Sequence, residues 1–297
     1  MKRTTLISFK INENFSKDDL RALIESDLKK DLHLHTLYSD GALTPKEVLK
    51  MRADEGYELL AITDHDGVEG SVYGEKYAEE LGVKYISGIE FDSEDELGKD
   101  IHMLGYGFDP DHPAFNLAIG KILKQRNDRN NRFLKALNDK GYDISYDELY
   151  AVNEGRFMGK PTFASVLIKK GFVKSHSEAF NTIFRDPEIR SIKKETLHTK
   201  EVVDIIHAAG GLAVMAHPME QRHLDETFEE FKPRMYEILD RMLCYGIDGI
   251  ECHHPSADPV QQEMLVEFAN EHGLMITRGS DFHSYASRRD FSRYHRP

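Results

Sequence analysis

Short apolar runs, each ending in histidine or a carboxylate and most leading into a helical stretch, recur along this sequence. No other feature limits the fold as much. "DLHLH" at 31–35 alternates as a strand does. "TPKEVLKMRADEG" predicts a helix: Thr44 is the N-cap, Pro45 sits at N1, Glu47 completes a capping box and Gly56 ends it. "ELLAITDH" reads as a buried strand ending at His65, "SVYGEKYAEELG" as a helix, and "VKYISGIEF" and "DIHMLGYGF" as two further strands. Near residue 199 the pattern resumes. "TKEVVDIIHAAGG", "FEEFKPRMYEILDRMLCYG" and "DPVQQEMLVEFANEHG" are helical, and "LAVMAHP", "IDGIECHH" and "LMITRGSDFH" are strands. Strands alternating with helices imply an α/β fold built from βα units around a parallel sheet. Polar residues at the C-terminal strand ends are where a (β/α) barrel carries its active site. An open doubly wound sheet is the alternative, but neither GxGxxG nor GxxxxGK[ST] occurs.

Two segments leave this rhythm. Residues 1–30 are polar and mixed, and read as an N-terminal extension. Residues 111–189 read as consecutive short helices, a helical insertion that divides the barrel into 31–110 and 190–297. The insertion carries Lys121, Lys124, Arg126, Arg129, Arg132, Arg156 and Lys160. A solvated helical face explains any one of these, and phosphate binding is the competing reading.

A parallel sheet would gather nine residues from the strand ends: His33, His35, Asp40, His65, Glu90, His102, His217, Asp281 and His283. His33 and His35 are two apart on one strand and point to the same face. A single histidine at a strand end is usually structural. Six histidines and three acids at matching ends are hard to explain except as metal ligands. Imidazole and carboxylate suit Zn, Mn or Fe, and an all-oxygen calcium or magnesium cage is a poor match. Cys252 is close by, but no CxxC pair exists and a buried lone cysteine is commonly packing. Four protein ligands saturate one zinc ion, so nine ligands imply two or three divalent ions. Ions clustered about 3.5–4 Å apart hold a bridging hydroxide and clamp the oxygens of an in-line displacement at phosphorus.

The motifs "DLHLHTLYSDG", "ITDHD", "GIEF", "HMLGYGF", "AHP" and "GSDFH", in that order, resemble the polymerase and histidinol phosphatase (PHP) family of metal-dependent phosphoesterases. The resemblance implies a distorted (β/α)7 barrel with a two- or three-metal centre. It assigns His33, His35, Glu90 and Asp281 to one ion, Glu90 with His102 and His217 to a second, and Asp40, His65 and His283 to a third. Catalysis would rest on His33, His35, Glu90, His217 and Asp281. The helical insertion is similar to that of the subgroup acting on nucleoside mono- and bisphosphates, short RNA ends or cyclic sugar phosphates. That subgroup often carries Gly-Arg-Pro-His in the insertion, where this chain has Gly159-Lys160-Pro161-Thr162. Lysine keeps the charge but loses the guanidinium fork. Arg129, Arg156, Lys160, Thr162, His253 and His254 are the expected substrate-binding residues, with His253 or His254 as a general acid. Asp64 and Asp66, which flank His65, are expected either to orient it or to be loop polarity.

The formal net charge of -13 argues against binding long nucleic acid through a basic surface. It leaves room for a small phosphorylated substrate, because bound metal reverses the local sign. Only Cys244 and Cys252 are present, no apolar run approaches a membrane span, and the first residues lack a signal-peptide core. Together these imply a cytoplasmic protein. The rival readings are a cyclic phosphodiesterase acting in two steps on a phosphorylated sugar, an amidohydrolase-like barrel, and a non-catalytic metal-binding protein.

Overall fold

The computed structural model describes residues 8–9, 15–153, 158–223 and 226–284. The first half contains β1 (Ser8–Phe9), α1 (Lys17–Glu25), β2 (Lys30–Leu34), α2 (Pro45–Asp54), β3 (Leu59–Ile62), α3 (Glu69–Leu81), β4 (Lys84–Ile86), β5 (Gly88–Glu94) and β6 (Asp100–Tyr106). Helices α4 (Pro113–Asp139), α5 (Tyr146–Asn153), α6 (Lys160–Lys169), α7 (His176–Asn181) and α8 (Pro187–Ser191) follow. The chain then runs through β7 (Leu197–His198), α9 (Thr199–Ala208), β8 (Leu212–Met215), α10 (Phe228–Tyr245), β9 (Gly249–His253), α11 (Pro259–Glu271) and β10 (Met275–Arg278). Helix α2 starts as its sequence dictates. The Thr44 hydroxyl accepts from Glu47 N, Glu47 reaches back to Thr44 N, and Pro45 opens the first turn. Gly56 takes φ +80 just past its end.

The strands form two sheets, ordered β1-β4-β3-β2 and β10-β9-β8-β6-β5-β7. Single parallel bridges, Leu34 to Phe282 and His65 to Glu90, link one sheet to the other. The expectation of a purely parallel sheet is corrected here: β6 runs antiparallel to both β5 and β8. Only a five-residue turn, 95–99, separates β5 from β6, too short for a helical crossover, so the pair must fold back as a hairpin. "VKYISGIEF" is also two strands rather than one, because the chain passes from the first sheet to the second at Ser87–Gly88. A Cβ on Gly88 would lie 2.7 Å from the Ile62 carbonyl, so only glycine allows that close passage.

Helices α4–α8 surround a second apolar cluster that includes Phe133, Leu137, Leu149, Phe163, Leu167 and Phe184. Helix α4 is not short, as the sequence suggested, but spans 27 residues. Its first half buries Phe115 and Ile122 in the main core, and its second half buries Phe133 and Leu137 in the helical cluster. One rigid rod therefore ties the two clusters together. Among the described residues, no helix is long and apolar enough to cross a membrane.

Part of the segment read as an extension is built into the core. Leu20 and Ile24 of α1 are buried against Leu32, Leu59, Ile86 and Met275. Leu20→Ala should therefore cost about 2–5 kcal/mol of stability. Denaturant unfolding measures this, and a loss below about 0.5 kcal/mol, typical of a surface position, contradicts the packing.

Candidate metal centre

Glu90 on β5 is fully buried and faces five imidazoles. Its Oε2 lies 3.3 Å from His33 Nε2, 3.2 Å from His35 Nε2 and 3.3 Å from His65 Nδ1. Its Oε1 lies 3.0 Å from both His102 Nδ1 and His217 Nε2. Asp281 approaches from the loop after β10, with Oδ1 3.4 Å from His33 Nε2 and 3.0 Å from His35 Nε2. Asp40 Oδ1 lies 3.1 Å from His283 Nε2 and 3.7 Å from His35 Nδ1. All nine residues expected from the strand ends therefore converge.

The antiparallel turn of β6 explains how His102 joins them. It lies near the N-terminal end of its strand. Because β6 is reversed, that end lies beside the C-terminal ends of its parallel neighbours. Backbone strain helps elsewhere. His217 and Asp281 sit at φ +24 and +50, left-handed conformations that a side-chain-bearing residue rarely adopts.

Three groups have ligand atoms within 4.8 Å of one another: His33, His35, Glu90 and Asp281; His35, Asp40, His65 and His283; and His65, Glu90 and His102. The first matches one expected set, and the second adds His35 to another. In the third, His65 joins Glu90 and His102, while His217 reaches only Glu90 Oε1. A fourth group brings His254 and Asp281 together with Glu220.

The donor atoms fit divalent cations. His33 Nε2 and His35 Nε2 face each other at 3.1 Å, an arrangement suited to lone pairs aimed at a shared cation. Asp40 Oδ1, Glu90 Oε2, His65 Nδ1 and His217 Nδ1 are buried without a hydrogen bond. Burial pushes the His102 imidazole down, but Glu90 and then Asp92 outweigh it and raise it to about 9. Burial pushes Glu90 up, but His65, His33 and His102 hold it well below the usual carboxylate range.

Three acids that sequence reasoning did not single out support this centre. Glu251 on β9 lies 3.0 Å from His33 Nδ1 and accepts a hydrogen bond from His217 N at 2.8 Å. A carboxylate behind an imidazole fixes its tautomer and orientation. Asp92 Oδ1 lies 3.0 Å from His65 Nδ1, and its Oδ2 pairs with Lys194 Nζ at 2.8 Å. Asp31 holds the loop that carries Asp281 through Ser280. The signal for Asp92 and Asp31 was strand periodicity, since each is two residues from a ligand and shares its face. Of the two acids flanking His65, Asp64 accepts from Thr36 N and Thr36 Oγ1 and so shapes the loop after β2. Asp66 pairs with Arg126 and Lys194.

The expected substrate residues divide. His254 is buried, with its ring 5.3 Å from His217 and Nε2 3.8 Å from Asp281 Oδ2. His253 does not join them. The β9–β10 register shifts between Thr277 and Arg278, and His253 turns to Gln262 Oε1 at 2.9 Å, lining an outer groove with Lys30 and Arg278. The Thr162 hydroxyl is taken up at the start of α6, where it accepts from Gly159 N at 3.2 Å. Arg129 is buried, and burial, then neighbouring Arg126, bring its guanidinium down to about 10. Burial, then Arg129 and Lys193, lower the Lys160 ammonium. Arg156 lies outside the described residues.

The sequence model of the PHP domain matches residues 31–243. The chain belongs to the PHP family. A 5'-3' exoribonuclease of Haemophilus influenzae is 30% identical over 255 residues, covering 86% of this chain and 90% of the relative. A phosphoribosyl 1,2-cyclic phosphate 1,2-diphosphodiesterase of Eggerthella lenta is 29% identical, covering 86% and 94%. A 3',5'-nucleoside bisphosphate phosphatase of Chromobacterium violaceum is 30% identical, covering 86% and 87%. A solved structure from Bifidobacterium adolescentis, described as a metal-dependent phosphoesterase, superposes with a TM-score of 0.75 at 29% identity, covering 89% of this chain and 90% of that one. The enzyme class read from the motifs holds for this PHP protein: it is a metal-dependent phosphoric ester hydrolase.

With its imidazole raised to about 9 by Glu90 and Asp92, His102 would have to give up a proton to take a metal ion. Uptake of a divalent ion should therefore release protons at pH 7, and apparent affinity should climb as pH rises towards about 9. Calorimetry in buffers of different ionisation heat reads this directly. Uptake at pH 7 without proton release contradicts the protonation assigned to the metal-free centre.

Proposed function

We propose that this protein hydrolyses a small nucleoside phosphate carrying a second anionic group, such as a nucleoside bisphosphate. The observation that carries this reading is the cation cluster Arg129, Lys160 and Lys193. It lies on the helical side of the centre, and none of the three forms an ion pair among the described residues. Arg126 and Lys194 nearby already have carboxylate partners in Asp66 and Asp92. A second phosphate would neutralise the cluster through charge-assisted hydrogen bonds. A cavity of about 480 Å³ opens beside His65 and Asp66, lined by Tyr38, Leu123, Tyr146 and Tyr150 among others. Flat aromatic surface suits the stacking of a base.

In this reading, residues 111–189 act as a helical insertion domain over a distorted (β/α)7 barrel. The nine strand-end residues hold two or three ions (Mn, Fe or Zn) in the assignment that the family resemblance implies. When bound, the ions supply positive charge to the phosphoryl oxygens and lower the pKa of water. Arg129 and Lys160 bind and orient the distal phosphate. His254, anchored at Nδ1 by Ser256 Oγ at 2.7 Å, holds or passes a proton beside Asp281. The exoribonuclease relative supports a second reading, in which the nucleotide is the 5' end of a short RNA. The acidic net charge then limits contact to the terminal nucleotides.

Phosphate release with Mn²⁺ against nucleoside mono- and bisphosphates, cyclic phosphates and short 5'-phosphorylated RNA tests the proposal. His35→Ala and Asp281→Ala should abolish release while far-UV circular dichroism is retained. Lys160→Ala should raise KM about tenfold, ~1.4 kcal/mol, for a bisphosphate and little for a monophosphate. Equal changes for the two substrates remove Lys160 from the distal site.

A further inference from the structure

The left-handed backbone of Asp281 must be held in place by something. For a non-glycine residue, φ +50 is costly and persists only where the surroundings enforce it. The Asp281 carboxylate itself lies 3.0 Å from His35 Nε2 and 3.4 Å from His33 Nε2, which orients the side chain. The restraint is found on both sides of Asp281.

On the N-terminal side, Ser280 N donates to Asp31 Oδ1 at 2.9 Å and Ser280 Oγ to Asp31 Oδ2 at 2.6 Å. Arg52, on α2, closes the ring. Its Nε lies 2.9 Å from Asp31 Oδ2, and its Nη2 donates to Ser280 Oγ at 2.8 Å. On the C-terminal side, His35 N donates to Phe282 O at 3.0 Å, and the Arg52 guanidinium lies 5.1 Å from the Phe282 ring. Arg52 itself is steadied by Glu55 at 2.7 Å. Asp31 is 1% exposed, and the Arg52 side chain 11% exposed. A carboxylate–guanidinium–hydroxyl ring around a buried Asp31 is stiff, because losing the guanidinium leaves the Asp31 charge unpaired.

We infer that Arg52 and Asp31 are positioning residues for the metal centre: through Ser280 and Phe282 they set the Asp281 carboxylate against His33 and His35. Neither side chain is among the converging ligand atoms. The reach is short and direct. Asp31 lies two residues before His33 on the same strand, and His35 follows directly after the strand's last residue, Leu34. This rests on the reading of His33, His35, Glu90 and Asp281 as a metal site.

Divalent-ion binding tests it without reference to turnover. Full-length wild type, Arg52→Ala, Arg52→Lys and Ser280→Ala are titrated with Co²⁺ by calorimetry and by visible absorption, alongside thermal unfolding. Arg52→Ala should weaken one Co²⁺ ion about 10–100-fold and alter its absorption bands. Ser280→Ala, which keeps the backbone donor, should weaken the same ion less. Arg52→Lys should recover part of the loss, since it keeps the charge without the fork. If Arg52→Ala does not fold, the other two variants carry the comparison. Variants that bind Co²⁺ like wild type, with only a lower unfolding temperature, overturn the inference. A wild type that binds no Co²⁺ overturns the metal-site reading, and the clamp with it, and is recognisable because no variant is needed to see it.

Discussion

One buried carboxylate organises this protein. Glu90 has no exposure to water and five imidazoles within 3.3 Å. A buried charge is tolerated only when paired and hydrogen-bonded, so each element that brings a histidine to Glu90 is under constraint. Strand β2 and the residue after it deliver two, β6 must reverse to deliver a third, and the chain after β8 accepts a strained turn to deliver His217. Excess imidazole around one carboxylate is unfavourable as a proton store alone. It becomes favourable when divalent charge replaces the protons.

Much of this was legible in the sequence, and the reasons are specific. His33 and His35 could be placed on one face because strand side chains alternate, and Thr44, Pro45 and Glu47 announced a helix by their cap chemistry. The remainder depended on pairing, which no local pattern encodes. The antiparallel course of β6 follows from a short turn and a partner strand. His253 and His254 are neighbours at the end of β9 and turn to different partners, His253 to Gln262 and His254 to Asp281. Thr162 resembles a substrate contact in sequence, but the start of α6 uses its hydroxyl. Asp92 and Asp31 could have been found two residues from Glu90 and His33 on the same strand face, whereas Glu251 has no signature until His33 is in place.

The electrostatics fit the composition. The chain carries a formal charge of -13, yet Arg126, Arg129, Lys160, Lys193 and Lys194 gather beside the metal-ligand cluster. Those paired with Asp66 and Asp92 serve the architecture. In the proposed reading, those without a carboxylate partner among the described residues meet the second phosphate of the substrate. Helix α4 supplies Arg126 and Arg129, one to each set, and is rooted in both apolar clusters.

The central claim is that the converging histidines and acids form a multinuclear metal centre. Elemental analysis of the purified, dialysed protein tests it most directly, read together with phosphate release before and after chelation. At least two divalent ions per chain, with activity lost on chelation and restored by Mn²⁺, Fe²⁺ or Zn²⁺, is the predicted result. One ion or none in a folded, active protein contradicts it.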